Sequence, residues 1–217
     1  MYLKLGKIKI HITFPFAAFI AFAANSDAGE LLTVVFVSAL LHECVHLCFL
    51  IGFGCRDIRL TLHPGGAAIR CTGTELLSVR RNAAVLLSAP LANVLLGALM
   101  YPAAERFSAD ALYTAAFVNL RLGFVNLLPV PFLDGGRSLQ LLLAEKCGEE
   151  RAGRLCRLAG ESGLAFLAVF CAVQMLLRRP WGGTAVFTGY CFAVTYGSRI
   201  KHIFYRLLKK EKQDGKI

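Results

Sequence analysis

The stretch LLTVVFVSALLHECVHLCFLIGF, Leu31–Phe53, decides the reading of this chain. It runs for 23 residues with its charge confined to one pentapeptide, His42-Glu43-Cys44-Val45-His46. A helix needs about 20 apolar residues to cross a bilayer, so this segment is long enough. Two His and a Glu are costly to hold at membrane depth, and ionisable groups there point to function. Residues four apart share a helical face, so both imidazoles can reach one Zn²⁺. Glu43 lies one position round, where it can take a proton from an attacking water. The competing explanation is a polar cluster that hydrogen-bonds between helices.

Composition agrees with a membrane reading. Hydrophobic residues make up 56% of the 217, charged residues 18%, and mean hydropathy is +0.58. Soluble domains carry roughly 45–50% apolar and about 25% charged residues. An ordinary soluble enzyme and a disordered chain are both disfavoured. The eight Cys form no C-x-x-C pair, and a disulfide framework belongs to small secreted domains, so reduced thiols are expected.

Working outward, Ile12–Ala24 reads as a short first transmembrane helix, with a signal peptide cut near Ala21-Phe22-Ala23 as the alternative. After Phe53, Ile58, Leu60 and Leu62 alternate with Arg59, Thr61 and His63, and Pro64-Gly65-Gly66 follows. That pattern predicts a β-hairpin over 58–71. Ala83–Tyr101 and Ala111–Leu128 are the third and fourth spans. Ser138–Arg157 reads as a basic amphipathic helix outside the bilayer. Gly163–Leu177 and Thr184–Gly197 are shorter spans. The expected fold is an all-α polytopic membrane protein of about six transmembrane helices, with a small membrane-associated β-hairpin between helices 2 and 3. Residues 1–198 would form the transmembrane domain and 199–217 a basic cytoplasmic tail.

The net charge of +10 follows from topology. With six spans and a cytoplasmic N-terminus, inside segments hold 20 of the 24 Lys and Arg. The positive-inside rule therefore predicts cytoplasmic termini. The partner of this charge is the lipid bilayer surface, and nucleic acid is not needed to explain it. Arg178-Arg179 is the discordant pair. Arg121, inside the fourth span, is expected to pair with a carboxylate or carbonyls of the bundle, with contact to substrate as the alternative.

Catalytic zinc needs a third protein ligand. Asp57, His63, Glu75 and Asp134 are the candidates. The second and fourth spans run in the same direction, so His46 and Asp134 come out at the same leaflet, which favours Asp134. Pro129 and Pro131 cannot continue a helix, so the fourth span must unwind into an extended segment there. Such backbone survives at membrane depth only when buried in protein or lining a wet cavity. The 58–71 hairpin lies at the same leaflet, and its edge would receive substrate as an added strand. Gly65 and Gly66 would allow close backbone approach or make the turn. Asn93 reads as an interhelical hydrogen-bonding residue with a role at the site as the alternative.

His42–His46 in a span, followed by Asn126-Leu-Leu-Pro129-Val-Pro131-Phe-Leu-Asp134-Gly135-Gly136-Arg137, resembles the site-2 protease family of intramembrane zinc metalloproteases. Ser88-Ala-Pro90-Leu-Ala-Asn93 is similar to that family's third-helix motif, with Ala89 where Gly is usual. Lys9-Ile10-His11-Ile12 resembles the start of its first helix. The likeness covers about residues 7–140 and is nearest to the stage IV sporulation protein FB branch. That branch usually carries a C-terminal CBS domain, and none is expected in the 20 residues after the last span.

The resemblance implies one Zn²⁺ per chain on His42, His46 and Asp134. Glu43 would be the general base, and Asn126 would orient substrate or the zinc-binding segment. It implies an enzyme of the bacterial inner or plasma membrane with its active site toward the cytoplasmic leaflet. Its substrate would be a membrane-associated protein such as a pro-sigma factor, with a regulatory membrane protein as a further partner. A membrane-anchored zincin cutting soluble proteins would need the pentapeptide outside the bilayer, against its apolar flanks. A catalytically inactive zinc-binding membrane protein of the same fold is the other alternative.

Overall fold

The computed structural model describes residues 2–5, 8–14, 29–63, 66–73, 77–177 and 188–189. The chain folds as two compact units, residues 1–127 and 128–217. The expected first span lies almost wholly outside the described residues. So do Arg178-Arg179, the 184–197 span and the 199–217 tail.

The first unit holds strands β1 (Tyr2–Leu5), β2 (Ile8–Ile12), β3 (Arg56–His63) and β4 (Gly66–Thr72), and helices α1 (Gly29–Gly52), α2 (Val79–Phe107) and α3 (Asp110–Leu127). The strands form one sheet in the order β1-β2-β3-β4. β3 and β4 are antiparallel, with Leu60 opposite Ile69. β2 lies parallel to β3, with Ile10 opposite Leu60. Lys9–Ile12 is therefore a strand, not the start of a helix. Its alternation of Ile8, Ile10 and Ile12 with Lys9 and His11 is the period-two pattern of a half-buried strand. A second correction follows: β3, with Ile58, Leu60 and Leu62, is an interior strand, so the outer edge of this pairing is β4.

Ile58, Leu60 and Leu62 are buried while Arg59 is exposed. They pack with Leu47 and Leu50 of α1 and Val85 of α2, with Ile10, Ile12 and Ile69 beside them. The sheet thus covers the end of α1 that carries His46. Burial, then the neighbouring Cys55 thiol, pushes the Cys71 thiol up to about 11, so it stays protonated at neutral pH. None of the seven Cys among the described residues is in a disulfide.

Helices α1, α2 and α3 pack against one another. At the α2–α3 contact, a Cβ added to Gly97 would lie 2.7 Å from Leu120 Cγ, and one added to Gly123 2.7 Å from the Pro90 carbonyl oxygen. Only hydrogen at these positions lets the backbones come so close. Arg121 lies over the Phe117 ring at 5.4 Å, an aromatic partner in place of the expected carboxylate or carbonyl.

The second unit holds α4 (Asp134–Cys147) and α5 (Glu149–Leu176), which pack on each other. The amphipathic helix expected over 138–157 is instead broken at Gly148, whose φ of +82° favours glycine. α5 starts one residue later and runs without interruption through the expected 163–177 span.

Among the described residues, three helices are long and apolar enough to cross a membrane: α1, α2 and α5. At about 1.5 Å per residue, the 24 residues of α1 reach about 36 Å, beyond a hydrocarbon core of about 30 Å. Its exposed Leu31, Val35, Leu41, Phe49 and Ile51 suit contact with lipid. α3 coincides with the expected fourth span but carries Asp110, Asn119, Arg121 and Asn126 in 18 residues.

Candidate metal centre

His42 and His46 are both buried on α1, one turn apart, with ring centroids 4.8 Å apart and planes nearly perpendicular. Glu43 follows His42 and is half-buried. Each imidazole is oriented by a group on α2. His46 Nδ1 lies 2.8 Å from the Val85 carbonyl oxygen. A carbonyl only accepts, so His46 carries its proton on Nδ1 and its lone pair on Nε2. The Ser88 hydroxyl donates to that same carbonyl at 2.7 Å. His42 Nδ1 donates to Asn93 Oδ1 at 2.7 Å, which again leaves Nε2 as the nitrogen that bears the lone pair.

Asn93 is not an isolated partner. Its Nδ2 donates to Asn119 Oδ1 at 2.7 Å. Asn119 Nδ2 donates to Ser38 Oγ at 3.0 Å and to the Ala115 carbonyl at 2.9 Å. Asn93 and Asn119 are 2% and 1% exposed. Burying an amide without partners costs roughly 2–7 kcal/mol, which the closed set of bonds avoids. The chain of bonds leaves α1 at His42, crosses α2 and α3, and returns to α1 at Ser38, one turn before His42.

In the second unit, Asp134 is the first residue of α4, and Leu133 at the cap offers no side-chain bond. A carboxylate there is favoured by the helix dipole. The segment before it is wound more tightly than the extended strand expected from the prolines. The Val130 amide donates to the Leu128 carbonyl at 2.8 Å, and the Leu133 amide donates to the Val130 carbonyl at 2.9 Å. Pro129 and Pro131 lack N–H groups, so Val130 supplies the donor between them.

Three glycines hold this turn. A Cβ at Gly136 would overlap the Val130 carbonyl. One at Gly160 would lie 3.0 Å from Pro131 Cδ, and one at Gly163 would lie 3.4 Å from Val130 Cγ2. Val130 is fully buried, and Leu164 and Leu167 of α5 pack on Leu128 and Phe132.

The residues 102–170 match the family model of peptidase family M50. A zinc metalloprotease of Methanocaldococcus jannaschii is 26% identical over 77% of this chain and 52% of its own length. Stage IV sporulation protein FB of Bacillus subtilis is 30% identical over 68% of this chain and 52% of its own. The solved site-2 protease from Methanocaldococcus jannaschii superposes with a TM-score of 0.60 at 22% identity, over 88% of this chain and 91% of that one. The chain matches peptidase family M50 over part of its length and shares the fold of a site-2 protease. It spans about half the length of the curated relatives named.

Asn126, in the last turn of α3, donates to the Leu122 carbonyl of its own helix at 3.0 Å. Gly66 opens β4 opposite His63, while Pro64 and Gly65 lie outside the described residues. Of the alternative third ligands, Asp57 is exposed at an irregularity of β3 with φ +49°, and Glu75 lies outside the described residues. Sequence reasoning missed Ser38, Val85, Asn119 and Gly160. Asn119 carried a usable signal, an amide two residues before Arg121 in an otherwise apolar run. Gly160 and Gly163 carried another, two small residues one turn apart on one helix face. Val85 carried none, because its contribution is a carbonyl.

Proposed function

We propose that this chain is an intramembrane zinc endopeptidase that hydrolyses peptide bonds of membrane-associated proteins. The observation that supports it most is the pair of Nδ1 bonds, to Asn93 and to Val85, which turn both imidazoles into Nε2 donors for a metal. Nitrogen donors of this kind, with one carboxylate, fit the donor set of catalytic zinc. Asp134 is the carboxylate we assign, so the ligands come from segments 88 residues apart in sequence. Zinc held by these residues would supply Lewis acidity toward the scissile carbonyl and the attacking water.

Glu43 takes the proton from the attacking water and then delivers it to the leaving amine. Asn93 holds His42 in the correct tautomer, and Val85 does the same for His46. Asn126, Pro129 and Pro131 shape the segment that leads to Asp134. A helical substrate shields its own carbonyls, so it must unwind before attack. β4, the outer strand, offers the backbone groups that an added substrate strand would pair with, Gly66 included.

The termini and the active site face the cytoplasm, as the distribution of Lys and Arg argues. The substrate is a regulatory protein held at the membrane, with a pro-sigma factor as the leading class and a regulatory membrane protein as a further partner. The Bacillus subtilis relative is itself named for a stage of sporulation.

The test is cleavage of membrane-anchored reporter proteins by the full chain in proteoliposomes, with Glu43→Gln beside the wild type. Loss of a general base costs about 10²–10⁴ in rate. The variant should keep its zinc and lose cleavage. A Glu43→Gln protein that cuts at the wild-type rate would sink the assigned mechanism. Pro substitutions in β4 that leave the protein folded should slow cleavage of helical substrates; undiminished cleavage would remove strand addition.

A further inference from the structure

The Nδ1–H form of His42 needs something to hold the Asn93 amide the right way round. An amide offers an acceptor on one side and a donor on the other. Turned over, Asn93 would present N–H to His42 Nδ1, and the ring proton would move to Nε2, where it would exclude a metal. The bond between His42 and Asn93 cannot by itself choose between these arrangements, because both nitrogen and amide can play either part.

The choice is made one residue further out. The Ala115 carbonyl can only accept, and Asn119 faces it at 2.9 Å. That contact fixes which end of the Asn119 side chain is Nδ2. Its second Nδ2 hydrogen goes to Ser38 Oγ at 3.0 Å. Asn119 Oδ1 is left facing Asn93, which must answer with Nδ2, at 2.7 Å. Asn93 Oδ1 then faces His42. Each link has one sense only, set by a backbone carbonyl.

We infer that Asn119 is a positioning residue for the metal centre. It transmits the polarity of the Ala115 carbonyl through Asn93 to His42 and so fixes the nitrogen that His42 offers to zinc. This inference rests on the reading of His42 as a zinc ligand. Its reach is longer than that of an ordinary partner of a ligand, because Asn119 touches neither the imidazole nor the metal.

The experiment measures zinc affinity by chelator competition on the full chain in detergent, for wild type, Asn119→Leu, Asn119→Ser and Asn119→Asp. Thermal unfolding of the same samples reports the fold. Leu removes the acceptor that Asn93 needs. Ser can still satisfy the Ala115 carbonyl but is too short to reach Asn93. Protonated Asp keeps a carbonyl oxygen for Asn93 and an O–H for Ala115 or Ser38.

Loss of a group that orients a ligand costs about 10–100-fold in metal affinity. Leu and Ser should show that loss, and Asp should recover most of it. If Leu does not fold, the contrast of Ser with Asp carries the same test. Folded Leu or Ser variants with wild-type affinity would overturn the inference. So would an Asp variant that folds yet binds as weakly as Ser. A wild-type chain that binds no zinc would instead overturn the reading on which the inference rests.

Discussion

The two units secure their functional residues by different physics. In the first, His42 and His46 are held by directed hydrogen bonds, every one of them to a group on another helix or anchored to a backbone carbonyl. In the second, the turn before Asp134 is held by shape. Gly136, Gly160 and Gly163 leave room for Val130, Pro129 and Pro131, and no side-chain cap fixes the start of α4. An imidazole has two chemically distinct nitrogens, so its protonation must be specified, and only hydrogen bonds do that. A carboxylate has two equivalent oxygens. It needs chiefly to be placed, and the close packing of the turn before it does that.

The contrast predicts which changes each unit will not tolerate. The largest effect should come from Gly136→Ala, because the added carbon overlaps backbone and no side chain can move aside. Gly160→Ala, at 3.0 Å from a proline ring carbon, should cost less, and Gly163→Ala, at 3.4 Å from a valine methyl, least. Overpacking typically costs about 1–3 kcal/mol and occasionally more, so Gly136→Ala should stand at or above the top of that range. Thermal unfolding midpoints measured in one detergent give the order. Three equal midpoints would break the claim that shape holds this unit.

Around the histidines the property to remove is polarity. Asn93→Leu keeps the bulk and removes the partner of His42, and should weaken zinc binding by about 10–100-fold. Ser38→Ala removes one of two acceptors of Asn119 while the Ala115 carbonyl remains, so its effect should be the smallest, at the low end of the roughly 2- to 12-fold that a hydrogen bond of about 0.5–1.5 kcal/mol carries. Chelator competition reads both. Equal losses in the two variants would show that the bonds do not act in sequence from a backbone anchor.

Much of this was legible in the sequence, for identifiable reasons. The spacing of His42 and His46 places them on one face of α1, and the apolar run around them marks a spanning helix. Alternation at Ile58, Leu60 and Leu62 marks β3. The same alternation was present at Ile8, Ile10 and Ile12, but the apolar run that follows obscured it, and pairing with β3 is what makes the segment a strand. Pro129 and Pro131 mark the end of α3 correctly. They do not reveal that Val130 winds the segment into a turn, since that depends on Gly136 and α5. The expected helix over 138–157 failed because a single Gly148 separates two helices that periodicity alone joins. Asn119 is legible as a polar residue in an apolar run, but its role depends on partners 26 and 81 residues away.

We propose that one zinc ion is held by His42, His46 and Asp134. The most direct test is zinc per chain in detergent-purified protein, wild type beside His42→Ala and Asp134→Ala. About one zinc per wild-type chain is expected, with a clear loss in both variants, although their substitutions lie in different units. A wild-type chain without zinc under metal-replete conditions, or an Asp134→Ala chain that binds zinc as tightly as wild type, would contradict it.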